Sequence, residues 1–306
     1  MGLISGSVAC TRFTVVAAPE EIDFESVPFR ALQRGSILRE STGFVPFGPD
    51  EPYQTANRSW AFRIRTDQKK VDVHQLKERV KALVKVEMES VGPPSMKKIQ
   101  ELRKMAEDEL LEDQSSTTKI IECVLDDHTL YVGTTAQSQL GSVTAALLKL
   151  GIQLDFKTPW IDAGLASESV DHIDYQDAGQ SVIGCHYLKW LLSDPVVFPE
   201  VDKGLAKLMT PNGTTVSLRG TIHSELERYL DEEAEPLQLK LLFEDTQFTL
   251  DGLSFRISGL KVNPYKSQHW MEQLDARMER IKEVWAALDE RFALYLASRG
   301  GIHEAN

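Results

Sequence analysis

The chain has 306 residues, of which 42% are hydrophobic and 26% charged, and a formal net charge of -12. That length is enough for two lobes, each with its own core, and the composition excludes wholesale disorder. No apolar run approaches the roughly 20 residues of a bilayer span, so no membrane association is expected. The opening "MGLISGSVACTRFTVV" lacks the basic and apolar regions of a secretory signal. Cys10, Cys123 and Cys185 are odd in number and far apart, as buried thiols in a reducing compartment are. A cytoplasmic protein is expected.

In chain order, Gly6 to Val16 reads as a strand, and "FESVPFRALQRGSIL" is expected to form a short helix. "SWAFRIRT" alternates like a half-buried strand. Val73, Leu76, Val80, Leu83 and Val84 recur at helical spacing behind an Asp72 N-cap, predicting a helix from Asp72 to Met88. "GPPS" interrupts it, and Ser95 caps a second helix to about Glu112, with Ile99, Leu102, Ala106 and Leu110 on one face. "KIIECVLDDHTLYVGT" is expected to be a hairpin, "QSQLGSVTAALLKLGI" a helix and "IQLDFKT" a strand.

The acidic, aperiodic stretch 161–184 reads as a linker between an N-terminal lobe, 1–160, and a C-terminal lobe, 185–306. The second lobe opens with a helix at "CHYLKWLLSD" and continues in strands, two of them flanking the tight turn "PNGT". "LQLKLLFEDTQFTLDGLSFRISGLKV" predicts three more strands. A long helix from about Ser267 to Arg299 closes the chain, with Leu274, Met278, Ile281, Trp285, Leu288, Phe292 and Leu296 as its stripe. The fold class is α+β in two lobes.

Positive charge is concentrated in a basic helical region, 63–112: twelve of the 34 lysines and arginines lie between Arg63 and Lys104. Lys77, Lys81 and Lys85 are spaced i, i+4, i+8 and share one row, which Lys70 extends if the helix begins a turn earlier. Only Glu78 and Glu87 stand close enough to offset the row locally. Lys97 and Lys98 open the second helix, where the macrodipole disfavours them, and Arg103 and Lys104 follow. A solvated helix pair, a phosphate-contacting surface and an acidic protein partner all fit such a pattern. No base-reading motif is present, so any nucleic-acid contact is expected to be sequence-independent.

No catalytic constellation emerges. The seven histidines show no metal-ligand spacing, and no dinucleotide, P-loop or nucleophile-elbow motif occurs. "SVDHIDYQD" gathers Asp171, His172, Asp174 and Asp177, a possible divalent-cation cluster for a nuclease, but it sits in the linker-like stretch. No cofactor is expected.

Taken in order, the elements resemble the recombination-associated protein RdgC family of bacterial nucleoid DNA-binding proteins. "GSVACTRFTV" is similar to that family's first strand, and "GFVP" at Gly43–Pro46 to its glycine-aromatic-valine-proline element. "VDVHQLKERVKALVKVE" and "KKIQELRKMAEDELL" resemble its lysine-rich and charged helices. "YVGTTAQSQLGSVTAALLKLGIQL", "GCHYLKWLL" with Trp190, and "FTLDGLSFRISGLKV" with the final helix complete the series. The resemblance implies a non-enzymatic, nucleoid-associated homodimer, ring- or horseshoe-shaped, that encloses double-stranded DNA without sequence preference and antagonises a recombinase indirectly. It places Lys70, Lys77, Lys81, Lys85, Lys97, Lys98, Arg103 and Lys104 in the DNA-binding helical region, and Arg219 near a basic position of the second half. One departure stands out: Leu110 to Thr117 lacks the family's proline-arginine-aromatic run, which bears on closure of the ring. The alternatives are a metal-dependent DNA exonuclease, a label that family has carried, and a protein-interaction module that binds no DNA.

Overall fold

The computed structural model describes residues 2–48, 51–55, 57–165, 173, 175–263, 267 and 269–303. Among these are seven α-helices and twelve strands, and the strands form an open antiparallel sheet with a mixed α+β complement. By its internal contacts the chain divides into two units. One comprises Met1–Ile22, Pro46–Phe62 and Ile121–Asn306; the other comprises Asp23–Val45 and Arg63–Ile120.

The larger unit is built around β1 (Val8–Ala17), which pairs antiparallel with β5 (Thr129–Val132), β6 (Gln153–Phe156) and β12 (Arg256–Leu260). From β12 the sheet continues through β11 (Thr246–Asp251), β10 (Glu235–Phe243), β8 (Gly204–Met209) and β9 (Thr215–Gly220), and β7 (Val197–Pro199) also pairs with β10. The predicted hairpins form where the turn residues stand. Between β4 (Thr117–Asp126) and β5, Asp127 adopts φ 50°; between β8 and β9, Asn212 Oδ1 accepts from Thr214 N and Gly213 adopts φ 79°. Asp, Asn and Gly tolerate this left-handed backbone better than other residues.

Helices α3 (Gln137–Leu148), α5 (Ile183–Leu191) and α7 (Trp270–His303) match the predicted ones closely. Of the α7 stripe, Leu274, Met278, Ile281, Trp285, Leu288 and Phe292 are buried, with Leu296 packed at the edge of the same core. The core is aromatic where α5 meets α7. Tyr187 lies 5.2 Å from the Phe292 ring and donates to the Leu288 carbonyl at 2.9 Å, so a bulky phenol is buried with its hydroxyl satisfied. All three cysteines are free and buried, and burial pushes the Cys10 thiol up to about 12. Two short helices were not foreseen: α4 (Pro159–Asp162), which buries Trp160, and α6 (His223–Asp231), inside a span read as strands.

The smaller unit holds the ladder between β2 (Glu40–Val45) and Arg63–Gln68 of β3 (Trp60–Gln68), with α1 (Val73–Ser90) and α2 (Met96–Asp113). The helix expected over "FESVPFRALQRGSIL" does not form. Only a 3-10 turn at Phe24–Ser26 is helical, and the following residues run alongside β2. Pro28 has no N–H to give a helix. Its neighbours find partners on the strand instead: Phe44 N donates to the Val27 carbonyl and Phe29 N to the Phe44 carbonyl. That approach is close enough to require a glycine, because a Cβ on Gly43 would stand 2.4 Å from the Phe29 Cα.

Candidate nucleic-acid interface

The two basic helices begin where their caps stand. Asp72 accepts from His74 N and Gln75 N at the head of α1, and Ser95 accepts from Lys98 N at the head of α2. Cross-links fix an antiparallel hairpin: Arg79 pairs in bidentate fashion with Glu109 at 2.6 and 2.7 Å, and Glu87 with Lys98 at 3.7 Å. Positions early in α1 therefore face positions late in α2. Leu102, Ala106 and Leu111 of α2 are buried, whereas no residue of α1 is. The predicted α1 stripe is half-buried at Leu76, Val80, Leu83 and Val84 and exposed at Val73, so α1 lies on the outside of its unit.

The basic residues divide by what they touch. Lys77, Lys81 and Lys85 lie exposed in one row of α1, at a spacing of about 6 Å along the axis. Lys97, Arg103 and Lys104 are exposed on α2, and Lys98 is half-buried with Glu87. Among the described residues no ion pair engages Lys77, Lys81, Lys97, Arg103 or Lys104, while Lys85 reaches Glu89 at 4.0 Å. Glu89, rather than Glu78, thus offsets the row. Lys70 does not extend it: with the cap at Asp72 the helix starts at Val73, and Lys70 is exposed on the segment before it. Arg219 is exposed on β9 and belongs to the other unit.

Two neighbouring basic positions are structural. Lys69 is buried, and its Nζ donates to the carbonyls of Ser36, Leu111 and Gln33 at 2.8, 3.0 and 3.3 Å. The ammonium thereby ties the 33–36 segment to the last turn of α2, where the dipole favours positive charge. Arg65 clamps Asp67 through two bonds of 3.1 Å and stacks over Phe29 at 4.3 Å. Sequence gave no sign that Lys69 and Lys70 differ in this way.

Of the acidic cluster singled out in sequence, Asp171, His172 and Asp174 lie outside the described residues. Asp177 is committed elsewhere: its carboxylate pairs with Arg256 at 2.5 Å, both side chains being buried. The described part of 161–184 is packed through further bonds, from Trp160 Nε1 to the Gly179 carbonyl and from Ser181 N to the Leu253 carbonyl. Among the described residues, no three His, Cys, Asp or Glu side chains group as metal ligands.

A cleft of about 700 Å³ in the larger unit is lined by Ser59, Asp126, Asp275, Glu279 and Lys282 among others. Ser59 Oγ donates to Asp126 at 2.7 Å, and Lys282 pairs with the same carboxylate. Burial works to raise Asp126, but the bonds from Lys282 and Ser59 hold it below the usual carboxylate range. A carboxylate so held is a poor base for activating the serine.

No helix among the described residues is long and apolar enough to cross a membrane. No protein-family model matches the chain, and a search of curated proteins returns no match.

Proposed function

We propose that this chain is a non-enzymatic protein that binds double-stranded DNA through the outward basic face of the α1–α2 hairpin, without reading base sequence. The observation that carries the proposal is the lysine row. On a chain with a net charge of -12, Lys77, Lys81 and Lys85 stand exposed in line, the first two without an ion pair among the described residues. Surface lysines are usually interspersed with acids that neutralise them; a row left open attracts a polyanion and displaces its counterions. Lys97, Arg103 and Lys104 add exposed charge on the second helix, and Arg219 is a further exposed basic residue, on β9 of the larger unit. With the ordered resemblance to RdgC-like nucleoid proteins, the reading extends to a homodimer embracing the duplex and restraining a recombinase by occupying its substrate.

The test is binding of a duplex of arbitrary sequence at several salt concentrations. The wild-type affinity is expected to fall steeply with salt. The variant K77E/K81E/K85E, altered only at exposed positions, should fold normally by circular dichroism and lose about two orders of magnitude in affinity at low salt. Its salt slope should be shallower by about three. Absent or salt-independent binding by the wild type would overturn the proposal. Magnesium-dependent degradation of the duplex would point instead to a nuclease.

A further inference from the structure

The basic face of α1 ends in an apolar tip. At about 100° per residue the row of Lys77, Lys81 and Lys85 continues to Glu89, and Met88 lies beside it, within about 20° of the direction of Lys81. Beyond it come Val91 and, across the connection, Met96. These three are 55%, 79% and 73% exposed, and they stand together at the end of the hairpin between Lys85 and Lys97. Scattered apolar residues on a surface carry no message, but three large ones at one projecting tip are a different matter.

The tip is also stiff. Val91 N and Gly92 N both donate to the Glu87 carbonyl, at 2.8 and 3.2 Å, closing the end of α1. Gly92 takes φ 111°, a conformation that side-chain-bearing residues rarely adopt. Pro93 and Pro94 fix the next two φ angles, and the Ser95 cap starts α2 at once. Little conformational entropy is left to lose when such a tip is inserted into a partner.

We infer that this tip is a wedge: Met88, Val91 and Met96 enter between neighbouring base pairs of duplex DNA and unstack them while the lysine row holds the flanking phosphates. The inference rests on the DNA-binding reading above and adds the mode of contact. Stacked bases are apolar surface enclosed by phosphates, and the tip presents apolar residues between Lys85 and Lys97, with Glu89 and Glu87 tied to Lys85 and Lys98. An anionic lipid surface shares that chemistry and is one of the outcomes of the test below.

The experiment uses the whole chain and a short duplex carrying 2-aminopurine, whose fluorescence rises when its stack opens. Wild-type protein at saturation is expected to raise the fluorescence about twofold or more. The variant M88S/V91S/M96S, changed only at exposed positions, should bind the duplex within about threefold of wild type, since its lysines are intact, and give no rise. Wild-type binding without a rise, or a rise that survives in the variant, overturns the wedge and leaves DNA binding standing. Failure of both proteins to bind overturns the wedge together with the reading beneath it. Anionic vesicles (phosphatidylserine with phosphatidylcholine) and sedimentation velocity complete the comparison. If the variant loses vesicle binding or self-association while wild type never raises the fluorescence, the tip belongs to lipid or to a second copy, and the wedge is overturned.

Discussion

Asp67 and Lys69 show what a single buried charge requires in the smaller unit. Lys69 is held by three backbone carbonyls, with no carboxylate paired to it among the described residues, so removing its ammonium would leave several buried acceptors open. Asp67 is held by side chains. Burial would raise its carboxyl, yet bonds from Arg65 and from Thr118, the latter at 2.7 Å, together with the guanidinium charge, keep it below the usual range. A carboxyl whose folded pKa is depressed contributes stability that is present above the unfolded value of about 3.9 and is lost as pH falls through the folded value. Acid unfolding should therefore steepen below about pH 4. In Asp67→Asn that part of the acid limb should flatten while stability at neutral pH falls; equilibrium denaturation in urea across pH 2–7 measures both, and an unchanged acid limb would refute the assignment.

At the scale of the element, the α1–α2 hairpin is secured mainly by charge and caps. Helix α1 buries no residue, and helices in proteins owe most of their stability to tertiary packing of one face. Its attachments are half-buried apolar contacts and the Arg79–Glu109 and Lys98–Glu87 pairs, all near the surface. Such pairs are weak and screened by salt. Amide hydrogen exchange should accordingly be faster in α1 than in β10 and β11, whose inward side chains are buried. Added salt should widen the difference, and saturating duplex DNA should narrow it by shielding the lysine face. Protection of α1 equal to that of β10 would show tighter attachment than these contacts imply.

At the scale of the whole molecule, the larger unit is assembled from distant parts of the chain. Arg12 of β1 is buried, stacks 4.1 Å from the Trp285 ring, and pairs with Asp289 of α7 through two bonds of 2.7 Å. Removing the carboxylate strands a buried guanidinium. Asp289→Ala should cost about 2–3 kcal/mol, below the usual range for a buried pair because Asp289 is partly exposed. The double variant R12M/D289A should recover most of that loss in urea unfolding, because no charge is then left unpaired. A double variant no more stable than D289A would assign the effect to lost packing.

Local signals were legible because they are complete within a few residues. The caps at Asp72 and Ser95, the turn at Asn212-Gly213 and the stripe from Leu274 to Phe292 each depend on neighbours along the chain. The sequence by itself therefore determined most helices and strands, and the position of the lysine row. Tertiary structure alone decided what depends on distant partners. It drew the residues after Phe24 alongside β2, buried Lys69 while leaving Lys70 in water, brought Asp177 to Arg256, and left Met88, Val91 and Met96 uncovered. Periodicity records which face a residue occupies, whereas burial and pairing depend on what packs against that face, and the two partners of the Arg12–Asp289 pair are 277 residues apart.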